Sequence, residues 1–248
     1  FYGNMWGYNP PADTSRAAME QPLVWIDMEF DRSPSELLWV NSKKWGPLDG
    51  SLLSFSYGYG KIQLVLIEEV NGQKQGGVVD LPGVKLLTGV MRGRFNPSDG
   101  HLYACGLSAW GTSQVMRGGD FFRLRYTDKP LSIPDQLHAE EDGVKLTFAS
   151  ELDEENAKDP GNYEAQSWEI LRSHKYGSKR YNIQTLKLEG ITLSADKKTV
   201  KLILPGIRPV DVTTISYRLK DSKGNNYSGK VQHTIHHLRK ADNSNLAE

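Results

Sequence analysis

Apolar and polar positions alternate with period two over much of the chain, the signature of strands with one face in a core. Trp25-Ile-Asp-Met-Glu-Phe-Asp31 follows that alternation, with Ile26, Met28 and Phe30 on one face and Asp27, Glu29 and Asp31 on the other, so a half-buried strand with a solvated acidic face is expected. Further strands are predicted at Leu37–Val40, Ser51–Tyr57, Lys61–Val70, Gly76–Leu81, Val90–Phe95, His101–Cys105 and Phe121–Tyr126. Asn71-Gly72 between two of them is a strong two-residue hairpin signal, and Asn96-Pro-Ser-Asp-Gly100 is a second turn. Groups of about four strands joined by Gly-rich turns fit propeller blades. Pro11 to Gln21 is the one stretch with a helical alternative, capped by Asp13 or Thr14.

Lys129-Pro130 to Pro134 reads as a linker, after which short strands recur at Val144–Phe148, Tyr163–Ile170, Thr185–Leu193, Thr199–Leu204, Thr213–Leu219 and Gly229–Thr234. Turn signals at Asp142-Gly143, Asp159-Pro-Gly161, Ser194–Lys198 and Lys223-Gly-Asn225 separate them, the pattern of an immunoglobulin-like or fibronectin-like sandwich. The expected fold is therefore all-β: the C-terminal blades of a β-propeller over residues 1–130, an Ig-like β-sandwich over 131–238, and a disordered tail over 239–248, whose sequence has little to bury.

Composition narrows the function classes. Thirty Lys and Arg balance thirty Asp and Glu, so no net field draws the chain to nucleic acid or an anionic membrane. No apolar run reaches the roughly 20 residues of a membrane span. The single cysteine, Cys105, excludes an internal disulfide and a Cys-x-x-Cys-His haem attachment in this chain, and its apolar surroundings suggest a buried small hydrophobe. Position 1 is Phe and the opening residues lack the charged and apolar regions of a signal peptide, so the chain is expected to begin inside a longer protein.

Three motifs between Ser33 and Tyr126 carry a family resemblance: Ser33-Pro-Ser-Glu-Leu-Leu38, Trp45-Gly-Pro-Leu-Asp-Gly-Ser-Leu-Leu53 and Val90-Met-Arg-Gly-Arg-Phe-Asn-Pro-Ser-Asp-Gly-His-Leu-Tyr103, ending in Phe122-Arg-Leu-Arg-Tyr126. In this order they resemble the last two blades of soluble glucose and sorbosone dehydrogenase propellers. The chain resembles more closely the large multidomain proteins of planctomycete-type bacteria in which such a propeller precedes an Ig-like domain and accompanies a cytochrome c module. Leu146-Thr-Phe148, Leu152-Asp153, Asn162-Tyr163, Trp168 and Tyr176-Gly-Ser178 fit that Ig-like module. The resemblance implies an extracytoplasmic location, a sugar or alcohol substrate, and pyrroloquinoline quinone (PQQ) with Ca²⁺ as cofactor. It also implies a cofactor-contacting Lys and an Arg pair. The Lys position falls on Gly58; Arg92 coincides with a family Arg while the second falls on Val90, although Arg92-x-Arg94 looks similar to the pair. The family's catalytic His would lie upstream of Phe1.

Several residues remain candidates on their chemistry. Arg92 and Arg94 project to one side of a strand and suit a carboxylate or quinone anion, the alternative being two salt-bridged surface arginines. Tyr57, Tyr59 and Trp110 sit in Gly-rich loops where rings stack on sugars or flat cofactors, or else they pack between strands. Asp27, Glu29 and Asp31 have the residue type of glycosidase carboxylates but read more simply as a solvated face. Asp153-Glu-Glu155 with Asp159 offers oxygens to Ca²⁺ without EF-hand spacing, and the adjacent His236 and His237 point to opposite faces. Two functions follow: part of a quinoprotein-like oxidoreductase working with a cytochrome module, or a non-catalytic scaffold binding carbohydrate or a protein partner.

Overall fold

The structure, a computed structural model, describes residues 20–109, 114, 117–171, 177–242 and 246–247. Its strands form antiparallel sheets, so the all-β expectation holds, and none of the sheets closes on itself. Two compact units divide the chain: Glu29–Val65 with Val78–Leu131, and residues 1–28 with Leu66–Gly77 and Ser132–Glu248. We call them the first and second unit.

In the first unit, β1 (Pro34–Trp39), β2 (Leu52–Ser56), β3 (Lys61–Val70) and β4 (Gln73–Lys85) run in that order across a sheet. β3 and β4 contribute to both units, their turn-proximal halves to the second and the remainder to the first. Asn71 and Gly72 both have positive φ, 53° and 79°, the two-residue turn that matches strand twist and that their short or absent side chains tolerate. β2 is buried at all five positions, which is why Leu52, Leu53 and Phe55 are apolar and Ser54 and Ser56 small. β5 (Gly89–Phe95), β6 (Leu102–Leu107) and β7 (Gly119–Leu124) form a separate three-stranded sheet. Its inner face carries Val90, Leu102 and Ala104, and Gly93 lets the Phe55 ring lie directly against it. Trp45 meets Phe95 edge to face, ring centroids 5.2 Å apart.

The second unit holds a sheet of β15 (Asn226–Ile235), β14 (Val210–Lys220), β10 (Tyr163–Ile170) and β11 (Arg180–Thr185). It also holds a five-stranded sheet ordered β16 (Leu246–Ala247), β12 (Gly190–Ser194), β13 (Thr199–Ile203), β9 (Gly143–Phe148) and β8 (Pro134–Glu140). Phe148 of β9 meets Tyr217 of β14 edge to face at 5.5 Å, and Leu146, Val200, Leu202 and Ile215 of the two sheets are buried, while Val212 packs with Trp25 and Trp168. Asp221 closes the β14–β15 turn by accepting from the amides of Lys223 and Asn225, at 3.0 and 2.7 Å. Within the stretch expected to fray, Arg239 bridges to Glu140 and Leu246-Ala247 pairs with β12.

Three local expectations change. Trp25–Asp31 is not a strand: a turn at 28–30 interrupts it, and Asp27 and Asp31 are buried, 6% and 2% exposed, rather than solvated. β8 is a strand the sequence did not announce, beginning where the expected linker ends at Pro134, its polar Asp-Gln-Leu-His-Ala-Glu pattern masking buried Leu137, Ala139 and Glu140. Cys105 is exposed, because β6 turns Leu102 and Ala104 inward and Tyr103 and Cys105 outward.

Candidate functional site

Strand alternation and register place the sequence-selected arginines on one open face of the first unit. Arg92 lies opposite Cys105, which lies opposite Phe121; Arg94 lies opposite Tyr103, which lies opposite Arg123. A register shift between Val90 and Arg92 resets the alternation, so Val90 points inward and Arg92 outward although they are two residues apart. Arg94 pairs with Glu36 of β1 at 2.7 Å, and the second oxygen of Glu36 accepts from the Gly93 amide at 2.7 Å. Arg92 donates only to backbone carbonyls, of Ser35 at 3.2 Å and Met91 at 2.7 Å. Tyr103 and Phe121 stack with centroids 5.7 Å apart, and the Tyr103 hydroxyl donates to Asp99 at 2.7 Å. The His101 amide and the Tyr103 hydroxyl together hold Asp99 below the usual carboxylate range.

The loop from Tyr57 to Gly60 is built differently. Tyr57 is 3% exposed, its hydroxyl accepting from the Ala109 amide at 3.1 Å, so its ring is a packing element. Gly58 lies so close to Arg32 that a Cβ there would sit 2.4 Å from the Arg32 carbonyl oxygen. No side chain, lysine included, fits at 58 without moving that backbone. Tyr59 is half-buried, and Lys61 lies over its ring at 5.6 Å and over Phe30 at 4.5 Å. Lys61 also pairs with Asp80 at 2.9 Å and donates to the Phe30 carbonyl at 2.6 Å. Beneath them, Asp31 accepts from the Ser56 hydroxyl at 2.5 Å, while its other oxygen meets no close donor among the described residues. Burial pushes the Asp31 carboxyl up to about 6, against the lowering by Ser56 and Lys61. Trp110, the remaining aromatic candidate, lies outside the described residues.

A second buried carboxylate, which periodicity gave no reason to single out, is the hub of a polar cluster in the second unit. Glu68 receives Gln75 Nε2 at 2.8 Å, Arg239 Nε at 2.9 Å, His138 Nδ1 at 3.2 Å and the Ala139 amide at 3.3 Å. His233, 1% exposed, has its Nε2 3.8 Å from a Glu68 oxygen. Burial alone would raise Glu68, but His138, His233 and Gln75 outweigh it and hold the carboxyl well below its ordinary range. Arg239 occupies the position a cation would need, so the cluster is a self-neutralised structural hub. The other acidic candidates are likewise engaged. Asp27 receives Arg180 at 3.0 Å and Gln232 at 3.2 Å. Asp153 caps α1 (Glu154–Lys158) through the Asn156 amide, Asp159 caps the following turn through the Gly161 amide, and Glu154 pairs with Lys158 and Lys197. Among the described residues, no group of three or more His, Cys, Asp or Glu is placed to hold a metal ion, and no helix is long and apolar enough to cross a membrane.

The first unit as placed offers a quinone neither an uncommitted Arg94 nor a lysine at 58. Compared with protein-family models, with curated proteins and with solved structures, the chain matches none of them at a significant level.

Proposed function

We propose that this chain is a non-catalytic β scaffold, propeller blades followed by an Ig-like sandwich, that binds carbohydrate on the outer face of β5, β6 and β7. The observation that carries the reading is the stacked Tyr103–Phe121 pair lying in register beside Arg92, Arg94 and Arg123, with Phe121 and the three arginines exposed. A sugar ring presents an apolar C–H face to the electron-rich face of an aromatic ring and hydroxyls to flanking donors and acceptors. The two-sheet core of the second unit supports the sandwich half of the reading. The quinoprotein reading, with its sugar or alcohol substrate, its cytochrome partner and its extracytoplasmic setting, is supported by the motifs of residues 33–126 alone. The Glu36–Arg94 pair and the absence of space at Gly58 weigh against it.

Affinity electrophoresis of the chain through gels containing a panel of soluble polysaccharides tests the proposal, alongside a visible absorption titration with PQQ and Ca²⁺. Retardation by polysaccharide with a flat cofactor titration is expected. A saturable cofactor spectrum that disappears in Arg92→Ala would return the quinone site and overturn the scaffold reading.

A further inference from the structure

We propose that the outer face of β5–β7 selects an acidic, uronate-bearing polysaccharide, an inference that rests on the carbohydrate-binding reading above and names its ligand. Adjacent strands lie about 4.8 Å apart and alternate residues about 7 Å apart along a strand, so two rows of three residues make a platform about 10 Å wide. That is the footprint of a short run of sugar rings. Tyr103 on the central strand and Phe121 on the edge strand β7 lie diagonally across it as a stacked pair, and Phe121 is 65% exposed.

Charge chooses among the sugars. Arg94 is committed to Glu36, but Arg92 meets only backbone carbonyls, and Arg123 is exposed; neither forms an ion pair among the described residues. Two guanidiniums at opposite edges of an aromatic strip present planar, two-pronged donors that match carboxylates spaced along a chain. Glu36 and Asp99 lie at the same surface, accepting from Arg94 and the Gly93 amide and from the Tyr103 hydroxyl and the His101 amide, and each carboxylate keeps lone pairs for sugar hydroxyls. A DNA backbone is anionic at every unit, as a polyuronate is, but it carries no free hydroxyls for Glu36 and Asp99. A ligand with both carboxylates and abundant hydroxyls satisfies both signs of charge, whereas single-stranded DNA satisfies only the arginines and the rings.

Cys105 supplies a readout without mutation. It is the only cysteine in the chain, it is exposed, and it lies between Arg92 and Phe121. Maleimide labelling of the full chain is followed with polygalacturonate oligomers, with the methyl-esterified neutral form, or with oligo-dT, and binding of each is measured by calorimetry. Polygalacturonate is expected to bind and to slow labelling several-fold, and added salt to reverse both. Phe121→Ala should weaken binding on the order of tenfold, and Arg123→Gln should reduce the preference for the acid over its ester, with Arg92→Gln added to abolish it; all three side chains are exposed, so no change removes a core contact. Equal binding of the neutral ester would overturn the acidic selectivity and leave the carbohydrate reading intact. Polysaccharide binding that leaves Cys105 unprotected and Phe121→Ala unaffected would move the site elsewhere. Protection by oligo-dT in preference to both polysaccharides would make the face a nucleic-acid platform, and failure of every polysaccharide to bind would overturn the inference together with the reading beneath it.

Discussion

Asp31 in the first unit and Glu68 in the second are carboxylates of almost equal exposure, 2% and 3%, shifted in opposite directions. Asp31 has the Ser56 hydroxyl, a weaker pull from the Arg32 amide, and an oxygen with no close donor among the described residues, so the desolvation cost prevails and its carboxyl rises to about 6. Glu68 has four donors within 3.3 Å and a histidine just beyond, so the same cost is overcome. Burial thus sets the penalty on the charged form, and the donors decide the direction of the net shift. The difference also separates two uses of a polar group in a sheet protein. Glu68 ties β3, β4, β8 and the segment around Arg239 into one network, while Asp31 anchors a single loop through Ser56, whose oxygen also accepts from the Tyr59 amide.

The largest effect expected is at the hub. Glu68→Ala leaves Arg239, His138 and Gln75 without their shared acceptor, and removing one partner from a buried charged network costs about 3–5 kcal/mol. Urea unfolding at neutral pH measures it, and Glu68→Gln, which keeps an acceptor oxygen, should recover part of the loss. A loss under about 1 kcal/mol for the alanine variant would show that the network is held by backbone pairing and would erase the contrast with Asp31.

Acid should move the two sites in opposite directions. The Asp31 value of about 6 exceeds its ordinary 3.8, so the stability gained from its protonated form is fully present below 3.8 and is lost as pH rises through 6. The shift corresponds to roughly 3 kcal/mol at 1.36 kcal/mol for each tenfold change in proton affinity. Glu68 is lowered, so its contribution is present above its ordinary 4.5 and disappears as pH falls. Hydrogen-exchange protection, corrected for intrinsic rates, should rise at the Tyr59 amide between pH 7 and pH 5 and fall at the Ala139 amide below 4.5. Asp31→Asn, neutral at every pH, should stabilise the loop by up to about 3 kcal/mol at pH 7 and change nothing near pH 4. An unaltered pH profile in that variant would place the titration elsewhere.

Strand positions were the legible part, because alternation needs only local apolar spacing: β3 and β10 coincide with Lys61–Val70 and Tyr163–Ile170, and Asn71-Gly72 makes the turn its residues specify. Failures came where polar residues are buried by distant partners. Asp27 reads as solvated until Arg180 and Gln232, more than 150 residues away, supply its donors. β8 hides behind Glu140 and His138 for the same reason, and Glu68 sits in a run whose apolar neighbours draw the eye to packing. At the candidate site, Arg92 and Arg94 were visible as a pair on one strand face. Tyr103, Phe121 and Arg123 were not, because only the register across three strands brings them together. Alternation within Leu102–Leu107 was the signal that could have exposed Tyr103 and Cys105.

The smallest expected effect is at Glu36 and Arg94, a carboxylate between the two extremes. Its side chain is 14% exposed and that of Arg94 71%, so the ion pair itself is largely solvated. A double-mutant cycle of Glu36→Ala and Arg94→Ala should give a coupling of about 0.2–1 kcal/mol, falling with salt. The single variants should be unequal. Arg94→Ala removes the solvated pair and its bond to the Gly93 carbonyl, whereas Glu36→Ala strips the acceptor from the buried Gly93 amide, and an orphaned buried donor costs about 1–3 kcal/mol. Equal losses would mean that water reaches the Gly93 amide, and the rule drawn from Asp31 and Glu68, that donors decide the direction in which a sheltered carboxylate shifts, would then stop at the core.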